Sequence, residues 1–282
     1  MSEQTFKIGG QGKDSIEVGR LGYGAMRITG KGVWGQPQDK AGAIALLKHV
    51  VESGVTLIDT ADAYGPNVSE ELIAEALYPY QPGLTIATKA GLVRPGPDVW
   101  NVDGHPERLK ACCDGSLRRL KLERIDLYQL HRIDSKVPLA DQIGALTELQ
   151  AQGKIRHIGL SEVSVKELRE VQTMTKVATV QNRYNLADKG SEALLDVCTE
   201  EGIGFIPWYP LGGGDMKAIS GRLERVAAEQ HATPHQIALA WLLQRSPVML
   251  PIPGTASIAH FDENMGALEI DLEEEDYLAL AA

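Results

Sequence analysis

A chain of 282 residues, 43% of them hydrophobic, carries enough apolar material for a sizeable core in one large domain or two small ones. Its formal net charge of -10 argues against a nucleic-acid binder, because phosphate contact needs a basic face. Cys112, Cys113 and Cys198 match no disulfide or metal spacing, the N-terminus is polar, and no apolar run reaches membrane-spanning length, so the expectation is a cytoplasmic protein with reduced thiols and no membrane partner.

Residues 5–19 alternate loosely around Gly9-Gly10-Gln11-Gly12 and read as a short hairpin that caps whatever follows. A small-residue strand over 20–26 leads into a loop rich in glycine that carries Trp34 and Pro37. From Asp39 the apolar spacing of Ala41, Ile44, Leu47 and Val51 is helical, and it stops at Ser53-Gly54. A strand over 56–59 follows, then a helix over 69–77 whose Ser-Glu-Glu-Leu start resembles a capped first turn, then a strand over 85–89. Residues 90–104 read as a long irregular segment with Pro95, Gly96, Pro97 and Trp100; a loop of that length inside a compact domain usually has a task, such as a lid or a pocket wall.

Pro106 opens a helix to about 120, where a missing N–H costs nothing. The alternation continues with strand 125–131, helix 139–152, strand 155–161, helix 165–173, strand 177–181, helix 191–201, strand 204–208, helices 220–230 and 234–245, and strand 248–251. Eight strand–helix units without a linker or charge block predict an α/β fold: one (β/α)8 TIM barrel domain over 1–282, with the N-terminal hairpin and extra helices near the C-terminus. An open doubly wound sheet is second to it, because Gly22, Gly24 and the Gly9–Gly12 cluster do not form the dinucleotide fingerprint of a tight turn running into a helix.

The catalytic candidates come from how the strands end. In a barrel the C-terminal strand ends share one face, which brings Asp59, Lys89 and His131 together with Tyr64 five residues beyond Asp59. A neighbouring ammonium lowers the pKa of a phenol, so Lys89 is expected to tune Tyr64 while Asp59 holds Lys89 charged. His131 could hydrogen-bond a carbonyl oxygen or help pass a proton. These groups suit protonation of an oxygen that becomes an alkoxide as hydride reaches carbon. Taken singly, each residue has a structural explanation: a strand-end ion pair, a core histidine, a packed tyrosine. The seven histidines form no ligand motif, so no metal is expected.

The order of these pieces resembles the aldo-keto reductase family over nearly the whole chain: residues 54–65, the Lys89 strand end, His131, Gly159-Leu160-Ser161, Gln181-Asn182-x-Tyr184-Asn185, Pro251-Ile252-Pro253-Gly254-Thr255 and Glu263-Asn264. The resemblance implies a barrel that binds NADPH, with NADH as the alternative, and reduces a small-molecule aldehyde or ketone. It implies Tyr64 as general acid, Asp59 and Lys89 as its tuning pair, and His131 as the group that orients the carbonyl. It places Gly24, Met26, Ser161, Gln181, Trp208, Tyr209, Leu211 and Gly212 around the cofactor, the last three beginning a loop through Gly213 and Gly214 that covers the pyrophosphate. Gly254, Thr255 and Ser257 make an anion seat before a helix over 258–266, His260 stands where an arginine often grips the 2′-phosphate, and Glu263 and Asn264 match the adenine contacts.

Glu162 departs from the Ser-Asn pattern that is common in the family after the fifth strand, which bears on how the nicotinamide carboxamide is held. Trp34, Trp100 and Arg132 are expected at the substrate pocket, with Arg132 suited to a phosphate or carboxylate. Gly-Tyr-Gly-Ala-Met, Tyr78-Pro79-Tyr80 and the stretch 241–247 resemble bacterial reductases that interconvert pyridoxal and pyridoxine, and the chain's end soon after Tyr277 suggests a shallow site. The resemblance also admits a regulatory or redox-sensing barrel acting through a partner. It leaves the oligomeric state open from monomer to small homo-oligomer.

Overall fold

The computed structural model describes residues 4–212 and 219–281. Strands β1 (Thr5–Ile8) and β2 (Ile16–Gly19) pair antiparallel as the expected hairpin, Thr5 opposite Gly19. Its inward residues Ile8, Ile16 and Val18 pack with Leu57, Ala87, Leu127 and Ala178 of the parallel strands described next, and with Ile206 and Leu250 beside them. The hairpin therefore closes the end of the sheet opposite the strand C-termini, leaving the other end for a site.

Seven strands form a parallel sheet: β3 (Tyr23–Gly24), β4 (Leu57–Asp59), β5 (Thr85–Ala90), β8 (Ile125–Leu130), β9 (Ile155–Ser161), β10 (Val177–Gln181) and β11 (Gly204–Phe205), each beside the next in that order. The eighth stave is a thinner connection. Phe205 N–H donates to Val248 O and Leu250 N–H to Phe205 O, both at 2.8 Å, and on the other side Gly22 N–H donates to Pro251 O at 2.9 Å and Gly24 N–H to Pro253 O at 3.4 Å. The segment from 248 to 253 thus joins β11 to β3 and closes the cylinder. Pro251 and Pro253 have no N–H to give, so this stave accepts toward β3 without forming a regular ladder. Gly24 has to be glycine here, since a Cβ would lie 2.6 Å from Ile252 O.

Helices α1 (Lys40–Glu52), α2 (Val68–Leu77), α3 (Pro106–Leu120), α4 (Leu139–Ala151), α5 (Val165–Gln172), α6 (Glu192–Glu201), α7 (Ser220–Glu229) and α8 (Pro234–Arg245) follow the strands, and α9 (Ile258–Met265) and α10 (Glu274–Ala281) complete the C-terminal part. Their apolar faces and the outer faces of the strands share two further clusters, in the larger of which Trp241 stacks between Tyr184 and Tyr277. No described helix is long and apolar enough to cross a membrane.

Two expectations need correction. Residues 90–104 are not irregular: β6 (Leu92–Gly96) and β7 (Val99–Val102) form an antiparallel hairpin, turned at Pro97-Asp98 with Asp98 at φ 55°. The proline and glycine that suggested a loop sit at or beside the turn. Ser69 does not cap α2; its buried hydroxyl donates to Ala25 O (2.9 Å) and accepts from Thr60 (2.8 Å), while left-handed Asn67 precedes the helix without a side-chain cap bond.

Candidate active site

At the open end of the sheet, Asp59 ends β4, Lys89 lies one residue before the end of β5, and His131 follows β8. Lys89, 0% exposed, donates from Nζ to Asp59 Oδ2 (2.6 Å), to Thr60 O (2.8 Å) and to the Tyr64 hydroxyl (3.4 Å). The other oxygen of Asp59 accepts from Gln129 Nε2 at 3.1 Å and from Gln181 Nε2 at 2.9 Å. One buried carboxylate therefore meets an ammonium and two amides, and the ammonium points on to the phenol. The Tyr64 ring meets the His131 ring edge-on, centroids 5.9 Å apart. The four candidates do converge.

The electrostatics refine the expectation for the phenol. Burial raises the pKa of Tyr64 and outweighs the opposing pull of Lys89, so the group stays above the usual phenol value. Burial pulls Lys89 down, but Asp59 and Tyr64 more than offset this and hold it charged, above its ordinary value. His131 is driven well below the usual imidazole range by burial and by Lys89, Arg132 and Arg94. A neutral ring can give one N–H to a carbonyl oxygen and is poorly suited to carry a proton, which favours the first of its two expected roles.

The candidate cofactor residues lie along the same rim. Ser161 Oγ accepts from Arg132 Nη1 at 3.0 Å and keeps its own proton to donate, while the side-chain amide oxygen of Gln181, Oε1, has no bond among the described residues. A hydroxyl donor beside a free amide carbonyl matches both ends of a primary carboxamide. Glu162 takes no part in that pair. It adopts φ 56° and turns its carboxylate to accept from Trp208 Nε1 (2.6 Å) and from Arg183 N–H (2.7 Å), which fixes the half-buried indole. Asn182 is structural, clasping Val163 through its backbone N–H (3.1 Å) and carbonyl (2.9 Å). Tyr209, at φ 61°, starts a turn through Leu211 closed by Gly212 N–H on Tyr209 O (3.0 Å); the expected continuation through Gly213 and Gly214 lies outside the described residues.

Gly254 abuts Gly24, where a Cβ would stand 2.8 Å from Gly24 O, and Met26 is half-buried beside them. Tyr23 donates to Thr255 O (2.6 Å), which holds the segment that enters α9. Ser257 caps α9 through His260 N–H (3.4 Å), and the amides of Ile258 and Ala259 have no partner among the described residues. That exposed N-terminus suits an anion, and His260 is exposed on it. Glu263 is engaged with the Thr233 hydroxyl (2.7 Å) and Asn264 is buried, so the adenine contacts expected of them are limited to what those bonds leave free.

On the substrate side the Trp100 ring stands nearly perpendicular to those of Tyr64 (centroids 6.3 Å apart) and His131 (6.5 Å), and Arg132 Nη1 also donates to His131 O at 2.6 Å. Trp34 stands on the first loop, bridged to Gly65. Sequence reasoning missed Gln129, Arg94 and Asp62. Gln129 sits two positions before His131 on an apolar strand, a buried amide that could have been flagged; the other two have no recognisable spacing. Asp103, His105 and Asp134 also gather close enough to suggest a metal, yet His105 Nδ1 is 2.8 Å from Asp103, and Asp134 accepts from the Gly104 and Lys136 amides.

Asp62 is 6% exposed with one unpartnered oxygen, and burial above all pushes its carboxyl up to about 7, with Glu70 adding and the Cys112 thiol, Arg119 and Arg108 opposing. A carboxyl whose folded value exceeds its unfolded value supports the fold below about pH 4 and loses that support as pH rises through about 7, on the order of 4 kcal/mol in full. Urea midpoints of wild type and Asp62→Asn at pH 5 and pH 8 are expected to diverge, wild type falling relative to the variant at pH 8. Parallel midpoints would show that Asp62 titrates near the ordinary value.

The Aldo/keto reductase family pattern matches residues 20–282. The chain belongs to this family. It is 43% identical to pyridoxine 4-dehydrogenase of Escherichia coli over 281 residues, covering 98% of this chain and 96% of that protein, and 48% identical to an uncharacterized oxidoreductase of Schizosaccharomyces pombe over 276 residues, 98% and 88%. An aldo-keto reductase from Klebsiella pneumoniae, solved in complex with NADPH, superposes with a TM-score of 0.82 at 29% identity, covering 99% and 94% of the two chains. This family member is an NAD(P)H-dependent oxidoreductase with the (β/α)8 barrel expected from its sequence, and its rim residues fit the nucleotide by the carboxamide-matching pair and the open α9 terminus.

Proposed function

We propose that the protein is a single-domain cytoplasmic reductase that converts an aldehyde or ketone to its alcohol with NADPH, with Tyr64 as general acid and pyridoxal as the first substrate to test. The observation that carries this reading is the Lys89 ammonium, buried and held between Asp59 and the Tyr64 hydroxyl at 2.6 and 3.4 Å. Pyridoxal is supported by the likeness to pyridoxine 4-dehydrogenase.

When bound, NADPH supplies hydride to the carbonyl carbon. The protein's part is to receive the charge that appears on oxygen. Neutral His131 donates a hydrogen bond to the carbonyl oxygen and aims it at Tyr64. An alkoxide is a far stronger base than a phenolate, so the phenol can stay protonated at rest and still give up its proton as the alkoxide forms. Lys89 stabilises the phenolate left behind, and Asp59, with Gln129 and Gln181 on its second oxygen, keeps Lys89 charged and aimed. Ser161 and Gln181 orient the carboxamide, and Trp208, steadied by Glu162, offers its ring to the nicotinamide.

The test follows absorbance at 340 nm with NADPH and a panel of aldehydes that includes pyridoxal. NADPH consumption with pyridoxal among the better substrates is the expected result. Tight NADPH binding without turnover of any carbonyl would replace this reading with that of a regulatory barrel, and turnover of other aldehydes but not pyridoxal would remove only the substrate assignment.

A further inference from the structure

We propose that Arg94 is a positioning residue that pre-forms the carbonyl pocket by clamping three segments together under the face of Trp100. Arg94 lies on β6 with its side chain 6% exposed. Its guanidinium donates to four backbone carbonyls: Nε to Val99 O (2.8 Å), Nη1 to Val33 O (3.0 Å) and Ala63 O (3.1 Å), and Nη2 to Gly32 O (2.8 Å). Those carbonyls belong to three separate stretches: the loop after β3, the turn one residue before Tyr64, and the strand that carries Trp100. The guanidinium carbon then sits 3.4 Å from the centre of the Trp100 ring.

This arrangement answers a question the hairpin raises. All four residues of β7 are exposed, so little apolar burial holds the Trp100 strand down, yet the indole stands nearly perpendicular to the rings of both Tyr64 and His131. A cation stacked on one face of the indole, itself anchored to the stretch that leads into Tyr64, supplies the missing constraint. Planar geometry is essential to it: one lysine nitrogen cannot span carbonyls on three segments and also lie flat beneath a ring. None of these bonds belongs to the parallel sheet, so their loss loosens the site while the barrel stays closed. The pocket wall is therefore built before substrate arrives, and it discriminates by size: a flat aromatic aldehyde needs the wall, and a small aliphatic one does not.

The substrate half of this proposal rests on the reductase reading; the clamp itself does not. In Arg94→Met, KM for 4-nitrobenzaldehyde is expected to rise about tenfold or more, while propanal kinetics and the NADPH dissociation constant change less than about threefold. Acrylamide quenching of the Trp100 component, taken as the difference between Arg94→Met and Arg94→Met with Trp100→Phe, is expected to exceed the same difference measured with native Arg94. Arg94→Lys, which keeps the charge and the stem, should fall between wild type and Arg94→Met in both readings and serves in its place if the methionine variant does not fold. Equal losses for both aldehydes, or unaltered quenching, would overturn the proposal. Increased quenching in a protein whose wild type reduces no aldehyde would leave the clamp standing and remove the reductase reading alone.

Discussion

Phenylalanine at Tyr64 is expected to lower kcat for carbonyl reduction by about 10²–10⁴-fold while leaving the NADPH dissociation constant within about twofold. The substitution isolates one proton. The Phe ring can keep the edge-on contacts with Trp100 and His131 (6.3 and 5.9 Å) and the place above Lys89, whose Nζ is 5.1 Å from the ring centre. What disappears is the only hydroxyl that Lys89 contacts among the described residues. An interaction realised as charge develops should lower kcat and kcat/KM together, and stopped-flow consumption of NADPH in a single turnover checks that the chemical step has slowed. Because burial keeps the phenol above its ordinary value, the alkaline limb of the wild-type kcat profile is expected above pH 10 and to be absent from the residual rate of the variant. A dissociation constant for NADPH that worsened as much as kcat would make Tyr64 a cofactor contact instead of an acid.

That Tyr64 could be singled out at all reflects what strand periodicity encodes. Residues 57–59, 85–89 and 125–131 are apolar runs ending in ionisable residues, and in a parallel barrel such ends must share a rim, so the direction of the chain fixes the neighbourhood of Asp59, Lys89 and His131. The hairpin of β1 and β2 was legible for a similar reason, since Ile8, Ile16 and Val18 alternate inward. What the sequence hid depends on contacts between segments far apart in the chain. Arg94 looks like any surface arginine near a proline turn, and its function exists only where Gly32, Val33, Ala63 and Val99 meet. Glu162 reads as a departure from an expected amide, but the partners that explain it, Trp208 Nε1 and Arg183 N–H, lie 46 and 21 residues on. The eighth stave was found at the right place, and its two prolines explain why it forms few ladder bonds.

The second large effect concerns the carboxylate beneath the phenol. Asparagine at Asp59 is expected to destabilise the fold by about 3–5 kcal/mol and to lower kcat at least about 100-fold, because it removes one partner of a fully buried ion pair and strands the other. Asp59 accepts from Lys89, Gln129 and Gln181, all donors; an asparagine has one oxygen for three of them and turns its NH2 toward at least one. Lys89, without the carboxylate, is left with burial as the dominant influence, and burial lowers an ammonium's pKa. A neutral amine cannot stabilise a phenolate, so the kinetic loss follows from the same cause as the structural one. The sign of the pH dependence separates this account from simple loss of packing. With the folded value of Lys89 depressed below the ordinary 10.5, the variant is penalised wherever the unfolded chain would hold that proton, and the penalty fades as pH rises toward 10.5. Urea midpoints of both proteins from pH 7 to pH 10 are therefore expected to converge. A gap that stayed constant across that range, or a variant with wild-type kcat, would mean that Asp59 holds its neighbours by shape and that its charge is not what keeps the amine beneath Tyr64 protonated.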